Sequence, residues 1–254
     1  ALLLTLSARM VTAGLWLVAL ALLLWYPVRW WPGDRLWPVQ MLNYFMPWLL
    51  VGLLPGVAAA VLLRKKWLTL SLITPTLLVV ASFAPLYLPR FGLALAGNAP
   101  IHVMSFNLLY RNASLDQALA LIRQEQPDIL LLQEVTPAIA RRLPQLSGIY
   151  PDGHFYSAYD ARSGQVVISR FPITWQAMSI EQGRTLKVAL DTSQGPIQVW
   201  NVHASTPTPW QNQQREISAL VKDAAAETGP LIVGGDFNTT YHSELYRLLD
   251  RQLD

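Results

Sequence analysis

Five polar residues each stand at or just beyond the end of a short, mainly apolar run. Asn107 follows Ile101–Phe106, Glu134 follows Ile129–Gln133, His203 follows Ile197–Val202, and Asp236 and then Asn238 follow Leu231–Gly235. Glu134 and Asp236 offer hard carboxylate oxygens of the kind that hold Mg²⁺ or Mn²⁺. Asn107 and Asn238 can donate to or accept from a phosphate oxygen or hold a ligand in place. His203 can give a proton or a hydrogen bond to developing negative charge. Gathered at one point, these are the parts for metal-assisted attack of water on a phosphoester. Taken singly, each also reads as a strand terminus, a loop residue or a structural histidine, so the chemistry depends on their meeting.

The stretch LIVGGDFNTT, residues 231–240, adds a local expectation. Two glycines before Asp236 would let the backbone bring that carboxylate close to a metal-bound substrate. Alternation in an extended chain would put Asp236 and Asn238 on one face, with Phe237 turned into the packing. His102, His154 and His242 have no comparable setting and read as structural or surface residues.

The elements that must position these groups follow from periodicity. IHVMSFN (101–107), DILLLQE (128–134), GQVVISR (164–170), RTLKVALD (184–191), PIQVWNVH (196–203) and PLIVGGD (230–236) read as strands. Ser114–Gln126 has apolar residues at helical spacing with Ser114 as N-cap and Pro127 as a stop, and Trp210–Glu227 reads as an amphipathic helix. Arg215 on that second helix reads as solvated or salt-bridging. Strands that alternate with helices in places and run consecutively elsewhere imply helices covering sheets, without fixing the strand order. Strand ends of such sheets can converge at one rim, where loops open a cleft.

The first hundred residues have another texture. The whole chain is 52% hydrophobic and only 14% charged, where a soluble domain carries roughly 25% charged. Seven basic residues stand against Asp34 alone up to Pro100, whereas the remainder holds 12 basic and 15 acidic residues. The basic balance therefore belongs to the first part and makes no nucleic-acid patch on the second. Uncharged runs cover residues 10–28, 36–63 and 67–89, and at 1.5 Å per residue even the shortest approaches the roughly 30 Å hydrocarbon core. Pro47, Pro55 and Pro75 are tolerated in membrane helices, and Trp25, Trp30, Trp31, Trp37 and Trp67 cluster near the ends as interfacial anchors do. Three membrane spans are expected over 1–89, then a linker at 90–100 and a separate domain from 101. Arg9 with the Arg64-Lys65-Lys66 triplet outweighs Arg29, Arg35 and Arg90, which puts the triplet in the cytoplasm and the domain outside it. No charged residue lies within any span, so an ion pathway has little to use. There is no cysteine, which excludes disulfides, thiolate nucleophiles and Cys-type zinc sites.

MSFNLL (104–109), DILLLQEV (128–135), GQVVISRFPI (164–173), VWNVHAS (199–205) and LIVGGDFNTT resemble, in this order, the blocks of the endonuclease/exonuclease/phosphatase superfamily, whose members include DNase I-like nucleases and neutral sphingomyelinases. The resemblance implies a four-layer α/β/β/α sandwich of the DNase I-like type. It also implies that Glu134 ligates a divalent metal, Mg²⁺ or Mn²⁺, that Asn107 supports metal or phosphate binding, that His203 contacts the scissile phosphate, and that Asp236 orients or deprotonates the attacking water with Asn238 beside it. Three spans ahead of such a domain are similar to membrane-anchored bacterial members of the superfamily. The expected partners are a phosphoester substrate, lipid-linked or derived from the cell envelope, and the bilayer. Nucleic acid is permitted by the family but disfavoured by the acidic domain. The family's closing strand carries an Asp-His pair, and only 14 residues follow Thr240 without supplying it. The expectation is a domain incomplete at its C-terminus, part of a longer protein. The alternative is an inactive relative that serves as a membrane-tethered binding module.

Overall fold

A helix that is apolar on every side has no aqueous face, and the N-terminal helices are built that way. In a computed structural model of the chain, residues 2–88, 100–111, 114–150, 154–157, 162–179 and 184–253 are described. The 90–100 linker, Pro100 excepted, lies outside them, as does the side chain of His154. Contacts divide the chain into two units, Ala1–Ala94 with Thr240–Leu248, and Leu95–Thr239 with Leu249–Asp254.

The first unit contains α1 (Leu2–Val28), α2 (Trp37–Leu62) and α3 (Lys66–Tyr87). Over Ser7–Val28, Trp37–Leu62 and Lys66–Tyr87 these helices are long and apolar enough to cross a membrane. Ala19, Leu22, Leu53, Ala60, Leu68 and Leu72 pack inside, while Leu17, Trp48, Leu62 and Trp67 face outward. Between α1 and α2 the buried Asp34 accepts from Asn43 Nδ2 at 2.6 Å, and Asn43 Oδ1 accepts from Trp25 Nε1 at 2.8 Å. The other carboxylate oxygen of Asp34 accepts from the backbone N–H of Glu244 at 2.6 Å. Burial nevertheless pushes the Asp34 carboxyl above the usual range. In the same unit His242 is a buried structural residue. Its Nε2 lies 2.7 Å from Ser82 Oγ, and its ring packs edge-on against Phe83 and Trp25.

The second unit is built on two four-stranded sheets. The first contains β1 (Val103–Asn107), β2 (Ile129–Gln133), β3 (His154–Ser157) and β4 (Gln165–Ser169) in the order β1-β2-β4-β3, with β1 and β2 parallel. The second contains β5 (Ile173–Ser179), β6 (Thr185–Thr192), β7 (Gly195–His203) and β8 (Leu231–Asp236) in sequence order, with only β7 and β8 parallel. β3 and β5 were not among the expected strands.

Alternation along each strand produces the layers. Ile129, Leu131 and Val167 of the first sheet meet Leu186, Val188, Leu190, Ile197 and Val199 of the second. Leu130, Leu132, Val166 and Ile168 point the other way, onto Ala118, Leu119 and Ile122 of α4 (Leu115–Glu125) and Ile139 of the short α5 (Pro137–Ala140). Ser114 stands at the N-cap of α4 without a side-chain capping bond. α6 (Trp210–Ala224) lies along the second sheet, where Asp223 accepts from Lys187 of β6 at 3.2 Å. Arg215 is exposed on it and bonds to Asn212 and Gln211 of the preceding turn. The result is the expected four-layer α/β/β/α sandwich. α7 (Glu244–Leu253), which sequence periodicity did not suggest, ends the described chain.

Candidate active site

The inward-facing rows of the two sheets change character along their length. β1 runs Val103, Ser105, Asn107; β2 runs Ile129, Leu131, Gln133; β7 runs Ile197, Val199, Asn201, His203; β8 runs Ile232, Gly234, Asp236. Apolar side chains fill one end of the interface between the sheets, amides follow, and an acid and an imidazole finish the rows. The amides stitch the sheets together. Gln133 Nε2 donates to Asn201 Oδ1 at 2.6 Å, and Asn201 Nδ2 donates to the carbonyls of Leu132 and Val166 at 2.9 and 3.0 Å. Gln165 of β4 donates to the Asn201 carbonyl at 2.9 Å. These three residues are fully buried, so their bonds fix how the two sheets register.

Glu134 breaks the alternation. The next side chain after inward Gln133 should point outward, but Glu134 has φ +57°, in the left-handed region. That turn brings its carboxylate back to the seam, where Oε1 accepts from Asn107 Nδ2 at 3.1 Å and Oε2 from the backbone N–H of Tyr110 at 3.0 Å. The same Nδ2 donates to Asp236 Oδ2 at 2.8 Å. The N–H of Leu109 donates to Asn107 Oδ1 at 2.9 Å, which fixes the orientation of the amide, since a backbone N–H can only donate. His203 Nε2 lies 3.9 Å from Glu134 Oε1, with its side chain 8% exposed. Glu134, Asp236, Asn107 and His203 therefore meet at one end of the seam between the sheets.

Asn238 is held differently from the expectation. Its φ is +48°, so the chain turns after β8 instead of continuing extended. Its N–H donates to Asp236 Oδ1 at 2.9 Å, and its side chain reaches Ala204 O at 2.9 Å, beside His203. Proximity to Asp236 thus comes from a side-chain-to-backbone turn and not from strand alternation. The two glycines also have a different reason. A Cβ on Gly235, whose φ is +138°, would lie 2.0 Å from Val202 O of the neighbouring strand, and one on Gly234 would lie 2.7 Å from Leu131 of the facing sheet. They permit close strand and sheet approach, and the approach of Asp236 to a ligand follows only indirectly.

Two residues of α6 that the sequence did not single out clasp these loops. Buried Gln213 donates to the carbonyls of Phe237 and Asn238 at 3.1 and 2.6 Å. Glu216, three residues on, accepts from the N–H and hydroxyl of Ser205 at 2.7 and 2.6 Å. Their common signal was spacing: i and i+3 share a helix face, and that face carries polar groups where an amphipathic helix should be apolar.

Among the described residues no three His, Cys, Asp or Glu side chains gather as a metal cage. Mg²⁺ commonly keeps several waters and takes only one or two protein carboxylates. The donor set fits such an ion: two hard-oxygen anions converge on one neutral amide, and a cation would relieve their mutual repulsion.

Residues 104–254 match the model of the "Endonuclease/Exonuclease/phosphatase family". Among solved structures, sphingomyelinase C from Streptomyces griseocarneus has a TM-score of 0.50 at 19% identity, covering 60% of this chain and 70% of that one. A β-hairpin deletion mutant of beta toxin from Staphylococcus aureus has 0.50 at 12%, covering 61% and 73%. TDP2 from C. elegans has 0.48 at 18%, covering 54% of this chain, which spans about half, 48%, of that one. At these identities the likeness is one of fold. Among curated proteins there is no significant match.

Proposed function

Because the chain belongs to the endonuclease/exonuclease/phosphatase family, we propose that it is a membrane-anchored phosphoesterase that uses Mg²⁺ or Mn²⁺. The observation that carries this reading is the single amide of Asn107 bonded to both Glu134 and Asp236. Glu134 would hold the cation, and Asn107 would support it by positioning the carboxylate through its amide N–H. The cation, when bound, supplies charge stabilisation and a more acidic water. Asp236, fixed on one oxygen by the Asn238 N–H, orients or deprotonates the attacking water. His203 faces the scissile phosphate and donates to its oxygens as charge develops there, with Asn238 holding the loop beside it.

The helices of the first unit act as the anchor, with residues 1–89 in the bilayer and the domain from residue 101 outside the cytoplasm. The positive triplet at Arg64-Lys65-Lys66 supports that side. A lipid-linked or envelope phosphoester is the favoured substrate and nucleic acid the less favoured. The test is Mg²⁺- or Mn²⁺-dependent release of nitrophenol from bis-p-nitrophenyl phosphate by the protein at its natural length. Loss of release in Glu134→Ala and Asp236→Ala supports the reading; unchanged turnover in both variants, or in excess chelator, retires it.

A further inference from the structure

The loop after β1, whose backbone is bonded to Asn107 and Glu134, presents apolar and cationic groups together. Leu109 has φ +53° and is 56% exposed. A bulky residue rarely adopts that conformation, and an exposed leucine gains nothing by it. The cause is on either side: the N–H of Leu109 is held by Asn107 Oδ1 at 2.9 Å, and that of Tyr110 by Glu134 Oε2 at 3.0 Å. Two consecutive amides tied into the site hold the backbone in this turn and leave the isobutyl group of Leu109 exposed. The Tyr110 ring follows, with the guanidinium of Arg111 5.2 Å and that of Arg162 5.8 Å from its centroid. Both arginines are exposed, and Arg162 comes from the segment leading into β4.

We propose that Leu109, Tyr110, Arg111 and Arg162 form a recognition rim for an anionic phospholipid. Leu109 meets the glycerol and acyl end, while the two guanidinium groups, carried over the Tyr110 ring, meet acidic or hydroxylic headgroup oxygens. A choline headgroup is disfavoured, because its ammonium would approach two fixed positive charges. This substrate class rests on the phosphoesterase reading for turnover, but the binding it requires does not.

The test uses the full chain in nanodiscs and two soluble probes, dihexanoyl phosphonate analogues of phosphatidylglycerol and phosphatidylcholine, in which CH₂ replaces the scissile ester oxygen. The glycerol probe should bind about tenfold more tightly than the choline probe, and the ratio should shrink as salt rises. Arg111→Gln and Arg162→Gln should each weaken the glycerol probe about fivefold, with Arg111→Lys largely restoring it. Leu109→Ser should weaken both probes by a similar factor, about threefold to tenfold. Equal affinities, tighter choline binding, a preference that ignores salt, or a preference that survives the double arginine variant each overturn the rim. Hydrolysis of bis-p-nitrophenyl phosphate without a probe preference removes this inference alone. A probe preference without any hydrolysis removes the phosphoesterase reading alone.

Discussion

The amide nitrogen of Asn107 lies 2.8 Å from Oδ2 of Asp236, a contact between residues 129 positions apart in the chain. The same nitrogen holds Glu134, so one neutral group keeps two like charges side by side. Asn107→Ala removes the amide between them, and Asn107→Asp keeps the shape while replacing the donor with a third anion. Either change should lower kcat on bis-p-nitrophenyl phosphate by about a hundredfold, the scale seen when one fixed hydrogen-bond donor is lost from an active site. Retention of most of the activity in both variants would count against a bridging role.

The clasp from α6 should act through position and not through contact with substrate. Gln213→Leu strips the donors from the carbonyls of Phe237 and Asn238 in a buried setting, which costs about 1–3 kcal/mol of stability. Thermal unfolding should show that loss, and amide exchange at residues 237–239 should quicken. Because the loop carries Asn238 and adjoins Asp236, kcat should fall more than KM rises. A variant with faster exchange but an unchanged kcat would separate the clasp from catalysis.

Asn201 sits beneath the site and ties the sheets together through both ends of its amide. Asn201→Val matches the apolar residues below it in the row but takes the donor from the carbonyls of Leu132 and Val166 and leaves Gln133 Nε2 only its longer bonds to Leu131 O and Ser105 Oγ, at 3.2 and 3.3 Å. The expected cost is about 2–4 kcal/mol, several buried groups being lost at once. Chemical denaturation measures it. A neutral or stabilising substitution would mean that the apolar rows alone set the register of the sheets.

Why part of this was legible in the sequence is clear from the rows themselves. Alternation is a local rule, so Asn107, His203 and Asp236 could be placed at strand ends and expected to converge. Glu134 could be named but not placed, because the same rule sends it to the wrong face and only a left-handed φ recovers it. A glutamate gives no sign of that, as a glycine would. The pair Gly234 and Gly235 advertised a close approach, yet what approaches is Val202 and Leu131, which lie far off in sequence. β3 and β5 lacked the bounded apolar runs of the other strands. The N–H of Glu244 at the start of α7 is capped by Asp34, 210 positions away, a partner no window of sequence can contain.

His242 predicts a pH dependence. Burial, with the Arg29 and Arg247 cations secondary, pushes its value from the ordinary 6.5 down to about 4. The unfolded chain therefore takes up the proton at higher pH than the folded one. Stability is fully present above the ordinary value and is lost as pH falls toward the lowered one. Hydrogen exchange across residues 240–248 should quicken at pH 5 relative to pH 7, after correction for intrinsic rates. His242→Phe should flatten that dependence; an unchanged dependence would assign it to another group.

The central claim is that Glu134 and Asp236 serve one divalent cation, and Mn²⁺ binding measured by electron paramagnetic resonance tests it without requiring turnover. The full-length protein should take up one Mn²⁺ at this site, displaced by Mg²⁺. Glu134→Gln and Asp236→Asn, each checked for a native thermal transition, should both weaken that binding. Tight Mn²⁺ uptake that is indifferent to the loss of both carboxylates in the double variant would contradict the account.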